Sequence, residues 1–228
     1  MNKVYKTISI IIPAYNEVKT IESVISKVKN LKFKNLKKQI IVVDDGSNDG
    51  TRDLISKMFG VDVILHEKNK GKGGALKTGI SSASGDIITF QDADLEYDPE
   101  DLKKLIVPII SNKALVTYGS RFLSNKKYSS IFFLGNKFLS FTTTLFYGQK
   151  ITDMETCYKV FDAELLKSIK FESLSFDFEP EITAKVLKRK IRIIELPIEY
   201  YPRNAKEGKK IKVSDGFKAL YVLLKNRF

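Results

Sequence analysis

Acidic residues stand at alternate positions just after a short apolar run, in the stretch "IITFQDADLEYDP". In an extended chain, side chains two residues apart point to the same face, so Asp92 and Asp94 are predicted to converge. Two converging carboxylates repel each other unless a cation lies between them or one of them binds a proton. Mg²⁺ or Mn²⁺ suits such a pair, because these ions accept one or two carboxylates and complete their coordination with water and phosphate oxygens.

A calcium-binding loop is the first alternative for this stretch, since Glu96 and Asp98 continue the alternation. An EF-hand loop counted from Asp92 requires glycine at the sixth position and glutamate at the twelfth. Those positions hold Tyr97 and Lys103, which excludes the loop. The second alternative is a solvated acidic turn at a helix start, and Asp98, directly before a proline, is assigned that capping role.

A glycine-rich segment, "NKGKGGALKTG", is the second candidate site. It matches neither common nucleotide fingerprint. The third glycine of G-x-G-x-x-G would fall at Leu76, and a Walker loop needs Ser or Thr after its lysine, whereas Lys72 is followed by Gly73. What remains is a glycine turn that opens a helix, where backbone N–H groups and Lys72 favour an anion. Because such turns are common, an ordinary structural turn stays an equal alternative.

The chain as a whole narrows the function classes. It has 228 residues and a formal net charge of +12, from 39 Lys and Arg against 27 Asp and Glu. This excess favours an anionic partner, although a solvated lysine-rich surface explains it equally well. A single cysteine, Cys157, and a single histidine, His66, exclude an internal disulfide and a cysteine- or histidine-rich zinc site. His66 is assigned to a strand end.

No secretory segment or membrane span is expected. The N-terminal apolar run has only about five residues before a proline, too short for a signal peptide. No stretch reaches the roughly 18 apolar residues of a membrane-spanning helix. We therefore expect a cytoplasmic protein that can still lie on a membrane surface.

The first 120 residues alternate continuous apolar runs with stretches of helical periodicity. Four buried strands are predicted, with helices between them: Ile8–Ile12, Gln39–Val43, Val61–Leu65 and Ile87–Phe90. This alternation predicts a parallel sheet covered on both faces, which binds ligands outside the carboxyl ends of its strands. Polar residues follow three of the strands, at Pro13–Glu17, Asp44–Ser47 and Gln91–Asp94. A further helix is predicted from Pro99 through Ile109.

The second half has a different pattern. Asp153–Asp162 predicts a strand leading into a helix, another helix is expected around Ile182–Leu187, and two strands are expected at Arg192–Leu196 and Ile198–Tyr201. Ser129–Gly148 is aromatic-rich and almost uncharged, which fits an amphipathic helix in a membrane interface or, equally, a domain core or dimer contact. The side chains expected against acyl chains are Phe132, Phe133, Phe138, Leu139, Phe141 and Phe146.

Seven motifs occur in this order along the chain: "IIPAYNE", "VVDDGSNDGT", "NKGKGGALKTGI", "QDADLEYDPEDL", "YGSRF", "DMETCYKVF" and "PRNAKEGKKI". Together they resemble glycosyltransferase family 2, and within it the polyprenyl-phosphate sugar transferases, such as the dolichyl-phosphate mannose synthases. The resemblance covers nearly the whole chain. It implies an α/β chain with the GT-A fold, a Rossmann-like, mostly parallel sheet flanked by helices, with a C-terminal region that faces the acceptor and the membrane.

The resemblance also implies a single catalytic domain over residues 1–228. Within it, residues 1–120 would bind the nucleotide sugar, residues 121–212 would bind the acceptor, and residues 213–228 would form an amphipathic helix. Residues 201–228 hold eight basic side chains against two acidic ones, which suits anionic lipid headgroups. One face of the helix is predicted to carry Phe217, Leu220, Tyr221 and Leu224.

Site residues are implied by the resemblance where the motifs match. The metal ligands implied are the D-x-D pair, Asp92 and Asp94, with Glu96 as a third. The donor would contact Pro13, Ala14, Tyr15, Glu17, Asp44, Lys72, Asp92, Ala93 and Asp94. The acceptor phosphate would contact Arg121, Lys137, Arg203 and Lys209. The catalytic set implied is Asp92, Asp94, Arg121 and Arg203.

The reaction implied is transfer of a hexose, mannose or glucose, from GDP-mannose or UDP-glucose to a polyprenyl or dolichyl phosphate, with inversion at the anomeric carbon. Mg²⁺ or Mn²⁺ would stabilise charge on the leaving nucleotide. A phosphate monoester, with a second pKa of about 6, is largely dianionic at neutral pH and can attack without a general base. Two candidate bases are therefore ranked lower: Asp153 is expected to order a loop, and Glu179 to begin a helix.

The acceptor implies peripheral attachment to the cytoplasmic face of a membrane. The protein could attach to the membrane directly or through a membrane-embedded partner, and it could form a homo-oligomer. These alternatives stay open. Nucleic acid is not expected as a partner, since no recognised binding motif is present. Two alternatives also stay open: a family 2 transferase that uses a glycan hydroxyl as acceptor, and a non-catalytic scaffold that binds nucleotide sugar.

Overall fold

A seven-stranded sheet lies at the centre of the computed structural model, which describes residues 3–124, 131–203 and 213–227. Its strands are β1 (Thr7–Ala14), β2 (Lys37–Asp44), β3 (Asp62–Leu65), β4 (Ile87–Phe90), β5 (Val116–Ser120), β6 (Lys159–Asp162) and β7 (Ile193–Pro197). They are arranged in the order β3-β2-β1-β4-β6-β5-β7. Among these strands, β6 alone runs antiparallel to its neighbours. The predicted α/β class with a mostly parallel sheet is confirmed.

Helices flank the sheet in the described residues: α1 (Ile21–Asn30), α2 (Thr51–Ile55), α3 (Lys72–Ser82), α4 (Leu102–Leu105), α5 (Val107–Ile110), α6 (Ile131–Tyr147), α7 (Ala163–Lys167), α8 (Phe178–Lys188) and α9 (Val213–Arg227). Short 3₁₀ turns occupy Pro99–Asp101 and Arg121–Leu123. Helix α3 lies directly on β1, where a Cβ at Gly79 would clash with the Ile11 side chain. The first residue of α3, Lys72, forms an ion pair with Asp92, so the N-terminal end of the helix lies near the carboxyl end of β4.

Two expectations about single elements are wrong. The helix predicted from Pro99 is divided into a 3₁₀ turn, α4 and α5. Pro108 has no N–H to continue the ladder, so it cannot lie inside one uninterrupted helix. The strand expected at Ile198–Tyr201 makes only an isolated bridge, between Tyr97 and Tyr200, because the chain leaves the sheet after β7 and crosses toward the Asp92–Glu96 segment.

The other strand predictions need smaller changes. The four strands of the first half are confirmed, and β1 continues through Pro13 to Ala14. Strand β5 was not predicted, because glycine and hydroxyl residues interrupt its apolar pattern, yet all five of its residues are buried. The strand expected at Asp153–Asp162 begins only at Lys159, and the residues before it form a loop.

Helices α6 and α9 pack against each other, and the Tyr147 hydroxyl donates a 2.8 Å hydrogen bond to the Leu223 carbonyl. Phe133 and Leu139 are buried in the core, so the expectation that they face acyl chains is wrong. The side chain of Phe132 lies outside the described residues. The outer side, here called the α6–α9 apolar face, consists of Leu134, Phe138, Phe141, Leu145, Phe217 and Tyr221, which are 57–72% exposed.

Within the residues that the structure describes, no helix has the length and apolar character that a membrane crossing requires.

A buried acid ties the N-terminal segment to the end of β6. Asp162 accepts hydrogen bonds from Lys3 Nζ (2.8 Å), the Tyr5 hydroxyl (3.1 Å) and the Leu165 N–H (3.0 Å). Burial alone would raise the pKa of Asp162, but the bonds from Lys3 and Leu165 outweigh it and hold the pKa below its usual value. The ionised form therefore stabilises the fold.

We expect Asp162→Asn to lower the free energy of unfolding by about 1.5 kcal/mol at neutral pH, as is typical for a hydrogen bond to a charged group. An acid with a lowered folded-state pKa stabilises the fold above its ordinary pKa, about 3.9, and loses that contribution as the pH falls through the folded value. Urea unfolding of both proteins at several pH values checks this. A difference that stayed constant down to about pH 2 would contradict it.

Candidate active site

A cavity of about 920 Å³ opens at the carboxyl ends of β1 and β4. It brings together most of the residues predicted from the sequence: Pro13, Ala14, Tyr15, Glu17, Lys72, Asp92, Ala93, Asp94, Glu96, Arg121 and Arg203. Asp44 and Lys137 are not part of its wall. Lys209 lies outside the described residues. The wall also contains residues of α6 and α9, so the cavity joins the sheet edge to the second half of the chain.

The aspartate pair is held between two cations. The Nζ of Lys72 lies 2.9 Å from Asp92 Oδ1, and the Nη2 of Arg203 lies 3.1 Å from Asp94 Oδ2. Burial, together with the negative charges of Asp92 and Glu96, raises the pKa of Asp94 to about 7, against the opposing effect of Arg203. Negative charge is thus concentrated at this point, and the protein's own cations compensate for it.

The donor set fits a Mg²⁺ or Mn²⁺ ion held by two carboxylates. Both aspartates lie in the cavity wall, and each already pairs with a positive group. In the described residues no cluster of three or more His, Cys, Asp or Glu side chains is arranged to hold a metal. The remaining ligands would therefore be water and substrate oxygens, which is the usual arrangement for Mg²⁺ beside a phosphate.

Glu96 stays the predicted third metal ligand, and in the structure its carboxylate also binds the segment that carries Arg203. Its Oε2 accepts a 2.7 Å hydrogen bond from the Tyr200 hydroxyl, and its Oε1 accepts one of 2.7 Å from the Arg203 N–H. Both oxygens therefore fasten the segment that carries Arg203. The alternation of acids along the sequence could not show this, because the partners come from more than 100 residues away.

Lys72 is the first residue of α3 and links two carboxylates across the cavity. Its Nζ lies 2.9 Å from Asp92 and 2.9 Å from Glu179 Oε1. Burial alone would lower the pKa of Lys72, yet these two carboxylates hold it well above its usual value. The preceding Gly71 has φ +83°, and a Cβ there would clash with the Leu174 carbonyl. The glycine turn thus positions a charged lysine beside the aspartate pair.

The structure places Asp45, rather than Asp44, at the cavity. Asp44 is fully buried, and its Oδ2 accepts hydrogen bonds from backbone N–H groups and from Arg52. Asp45 Oδ1 accepts a 2.9 Å bond from the Lys70 N–H and lies 2.8 Å from His66 Nδ1. The donor contact of Asp44 stays a prediction, and the residue of this pair that lines the cavity is Asp45. His66 follows β3 directly, as predicted.

Arg121 and Asp153 form a buried, two-point ion pair. The Nε and Nη2 of Arg121 each lie 2.7 Å from an Asp153 oxygen, and the Arg121 N–H donates to Asp153 at 2.9 Å. The guanidinium also lies 5.1 Å from the ring centre of Tyr200. Asp153 orders the loop before β6 around Arg121. Lys137 is exposed, with its Nζ 5.6 Å from the Phe122 ring, and its phosphate contact stays a prediction.

The side chain of Arg203 contacts three acidic residues at the carboxyl-end edge of the sheet. Besides Asp94, its guanidinium contacts Glu17 through Nη1 (3.1 Å) and Nη2 (3.3 Å), and its Nε lies 3.9 Å from Glu96. Burial would lower the pKa of Arg203, but these acids raise it. The last described residues before position 204 are thereby attached to the sheet edge that carries Asp94.

Sequence comparison connects this geometry with known proteins. Residues 9–170 match the model of the family described as "Glycosyl transferase family 2". A UDP-N-acetylglucosamine–dolichyl-phosphate N-acetylglucosaminyltransferase of Methanococcus voltae is 33% identical, over 96% of this chain and 95% of that protein. A dolichol-phosphate mannosyltransferase of Pyrococcus furiosus is 31% identical, over 89% of this chain and 58% of that protein.

Comparison with solved structures agrees on the fold. The glucosyl-3-phosphoglycerate synthase of Mycobacterium tuberculosis, crystallised with UDP, superposes with a TM-score of 0.74 at 23% sequence identity. The match covers 97% of this chain and 80% of that one. The likeness confirms the GT-A fold.

Proposed function

Since the chain belongs to glycosyl transferase family 2, we propose that it transfers a hexose from a nucleotide diphosphate sugar to a polyprenyl or dolichyl phosphate. The observation that carries this proposal is a single cavity whose wall combines an aspartate pair, two arginines and apolar residues of α6 and α9. A lipid phosphate needs both surfaces, cations for its headgroup and apolar side chains for its hydrocarbon. The names of both sequence relatives refer to dolichyl or dolichol phosphate.

The donor would lie along the sheet edge. Pro13, Ala14 and Tyr15 at the end of β1, with Asp45 opposite, offer backbone and carboxylate contacts for a base and ribose. Asp92 and Asp94 would hold Mg²⁺ or Mn²⁺, which when bound neutralises charge on the departing nucleoside diphosphate. Lys72 adds a second positive charge beside the same phosphates.

The acceptor phosphate would lie near the two arginines. Asp153 accepts from Nε and Nη2 of Arg121, which leaves Nη1 and the second N–H of Nη2 for a phosphate oxygen. Asp94 is the partner of Arg203 in the structure and would also be a ligand of the metal ion. With Asp94 bound to the metal, a phosphate oxygen could take its place as the partner of Arg203. These cations gather two phosphates that would otherwise repel each other. The dianionic acceptor then attacks the anomeric carbon without a general base.

A glycan hydroxyl acceptor is the second candidate, because it would need a base and Glu179 lines the cavity. The Oε1 of Glu179 is already paired with Lys72 at 2.9 Å and is therefore not free to accept a proton from a hydroxyl, which favours the lipid phosphate.

Labelled UDP-glucose, UDP-N-acetylglucosamine and GDP-mannose, each incubated with Mn²⁺ and a short polyprenyl phosphate, test the proposal. We expect label from one of them in the lipid phase, and the same screen identifies the nucleotide and the sugar. Label that enters an oligosaccharide acceptor and stays out of the lipid would support the second candidate instead. Absence of transfer to both acceptors, with binding of nucleotide sugar retained, would favour a non-catalytic scaffold.

We further propose that the α6–α9 apolar face attaches the protein to the cytoplasmic face of a membrane. Fully burying one phenylalanine side chain is worth about 1.5–3 kcal/mol. The double variant Phe138→Ser/Phe141→Ser is therefore expected to bind vesicles of mixed anionic and neutral lipid at least about tenfold more weakly. Co-sedimentation measures the change.

Phe59→Ser is the matched control for this experiment. Phe59 is 91% exposed and lies in the turn before β3, outside the α6–α9 apolar face. Its replacement removes one exposed phenyl ring by the same kind of substitution and should leave vesicle binding unchanged. If the double variant bound vesicles as tightly as the wild type, and lost self-association instead, the face would be a contact between copies.

A further inference from the structure

One carboxyl group in the cavity wall takes no part in the reaction proposed above. Glu155 lies in the loop before β6, and its Oε1 is shielded from solvent and has no hydrogen bond. A buried carboxyl group without a partner costs free energy, and such groups in native structures call for an explanation. A ligand that supplies the missing partner is one explanation, and the cavity is where a ligand would lie.

The nearby cations are committed to other groups. Lys159 is buried, and its Nζ donates to the Met154 carbonyl at 2.9 Å and to the Thr156 carbonyl. The guanidinium of Arg121 is held by Asp153. The described part of the chain therefore supplies no hydrogen-bond donor for Glu155.

Glu179 repeats this feature on the opposite side. It is 5% exposed, and while its Oε1 pairs with Lys72, its Oε2 is shielded from solvent and has no hydrogen bond. Burial, and next the charge of Glu179, raises the pKa of Glu155 to about 8. Near neutral pH, Glu155 is thus mostly a protonated acid that can donate as well as accept. Two carboxyl groups, each with an unused oxygen, border the same cavity.

We propose that Glu155 and Glu179 bind the hydroxyl groups, or an acetamido N–H, of the donor sugar, and that Glu155 determines how tightly that sugar is held. The inference rests on the proposed function and adds the subsite for the transferred group. Neutral hydroxyl and amide groups suit two carboxyl oxygens that lack partners, whereas a phosphate would be repelled.

The position of the two residues agrees with this part of the substrate. Glu179 is one lysine away from the aspartate pair, since Lys72 contacts both Glu179 and Asp92. The transferred sugar must lie next to the diphosphate that this pair attracts, on the side of the acceptor. Glu155 adjoins that side, because Asp153, two residues earlier, holds Arg121.

Calorimetric titration of the full chain, with Mn²⁺ present, tests the inference. The probes are UDP-glucose against UDP, UDP-N-acetylglucosamine against UDP, and GDP-mannose against GDP, with wild type, Glu155→Met and Glu155→Gln. Glu155→Met keeps most of the side-chain volume without hydrogen bonding, and Glu155→Ala is the second variant if the methionine protein fails to fold. For the nucleotide sugar that the wild type binds, we expect about a tenfold loss of affinity in Glu155→Met and less than threefold in Glu155→Gln. Affinity for the nucleoside diphosphate alone should stay within twofold.

A purely structural role predicts a different result. Since Glu155 has no protein partner to lose, the melting temperature of the ligand-free variants should be no lower than that of the wild type. The inference is overturned if nucleotide and nucleotide sugar weaken equally, if neither changes, or if only the KM for the polyprenyl phosphate rises. A wild-type protein that binds none of the three nucleotide sugars would overturn the proposed function itself.

Discussion

Asp94→Asn is expected to reduce the rate of sugar transfer by about 10³-fold, because the carboxylate that would hold the metal beside the diphosphate is lost. The substitution keeps the size of the side chain and removes a negative charge that Asp92 and Glu96 repel. Folding should therefore be retained. Initial rates of transfer at saturating donor, together with Mn²⁺ titration of the protein, measure the effect.

Asp98→Asn is the matched control for this prediction. Asp98 lies in the same acidic stretch, but its Oδ1 accepts the Glu100 N–H at 3.1 Å at the start of the 3₁₀ turn, and it is not part of the cavity wall. Asparagine caps helix starts as well as aspartate does, so activity should stay close to that of the wild type. If Asp94→Asn retained full activity and full Mn²⁺ affinity, the metal role of the pair would be wrong.

Asp153→Ala is expected to lower the free energy of unfolding by about 3–5 kcal/mol. The substitution leaves the Arg121 guanidinium buried without the carboxylate that two of its nitrogens contact, and the backbone N–H of the same residue loses its acceptor. Removal of one partner of a buried ion pair is costly because the remaining charge stays away from water. Urea unfolding followed by circular dichroism measures the change.

Two comparisons sharpen this second prediction. Glu100→Ala removes an exposed ion pair with Lys103 and should change stability by less than about 1 kcal/mol. Arg121→Met/Asp153→Leu removes both charges and should recover much of the lost stability, since apolar residues of similar volume often replace a buried pair without loss. If Arg121 also contacts the acceptor phosphate, the double variant stays stable but has a raised KM for the lipid. An Asp153→Ala protein as stable as the wild type would contradict the argument.

Much of the first half could be predicted from the sequence because its signals are local. Four continuous apolar runs identify four strands of the sheet, and the polar residues after β1 and β4 lie at the cavity as expected. The same reasoning missed Asp45. Asp44 and Asp45 both follow an apolar run, and only the packed structure shows that the first is buried under Arg52 while the second reaches the cavity.

The second half was less predictable because its contacts depend on packing between distant segments. Strand β5 lacks a continuous apolar pattern, and its burial comes from its position between β6 and β7. In α6, aromatic residues occur all around the helix, so periodicity could not tell that Phe133 faces the core, Phe138 lines the cavity and Phe141 faces outward.

The sequence by itself determined the α/β class, the strand ends of the first half and the aspartate pair, since these follow from the alternation of neighbouring residues along the chain. The tertiary structure alone decided which groups surround that pair. Lys72 joins Asp92 to Glu179, and Arg203 reaches Asp94 across 109 positions of sequence. Such contacts arise when separate elements pack together, and no pattern within a single element encodes them.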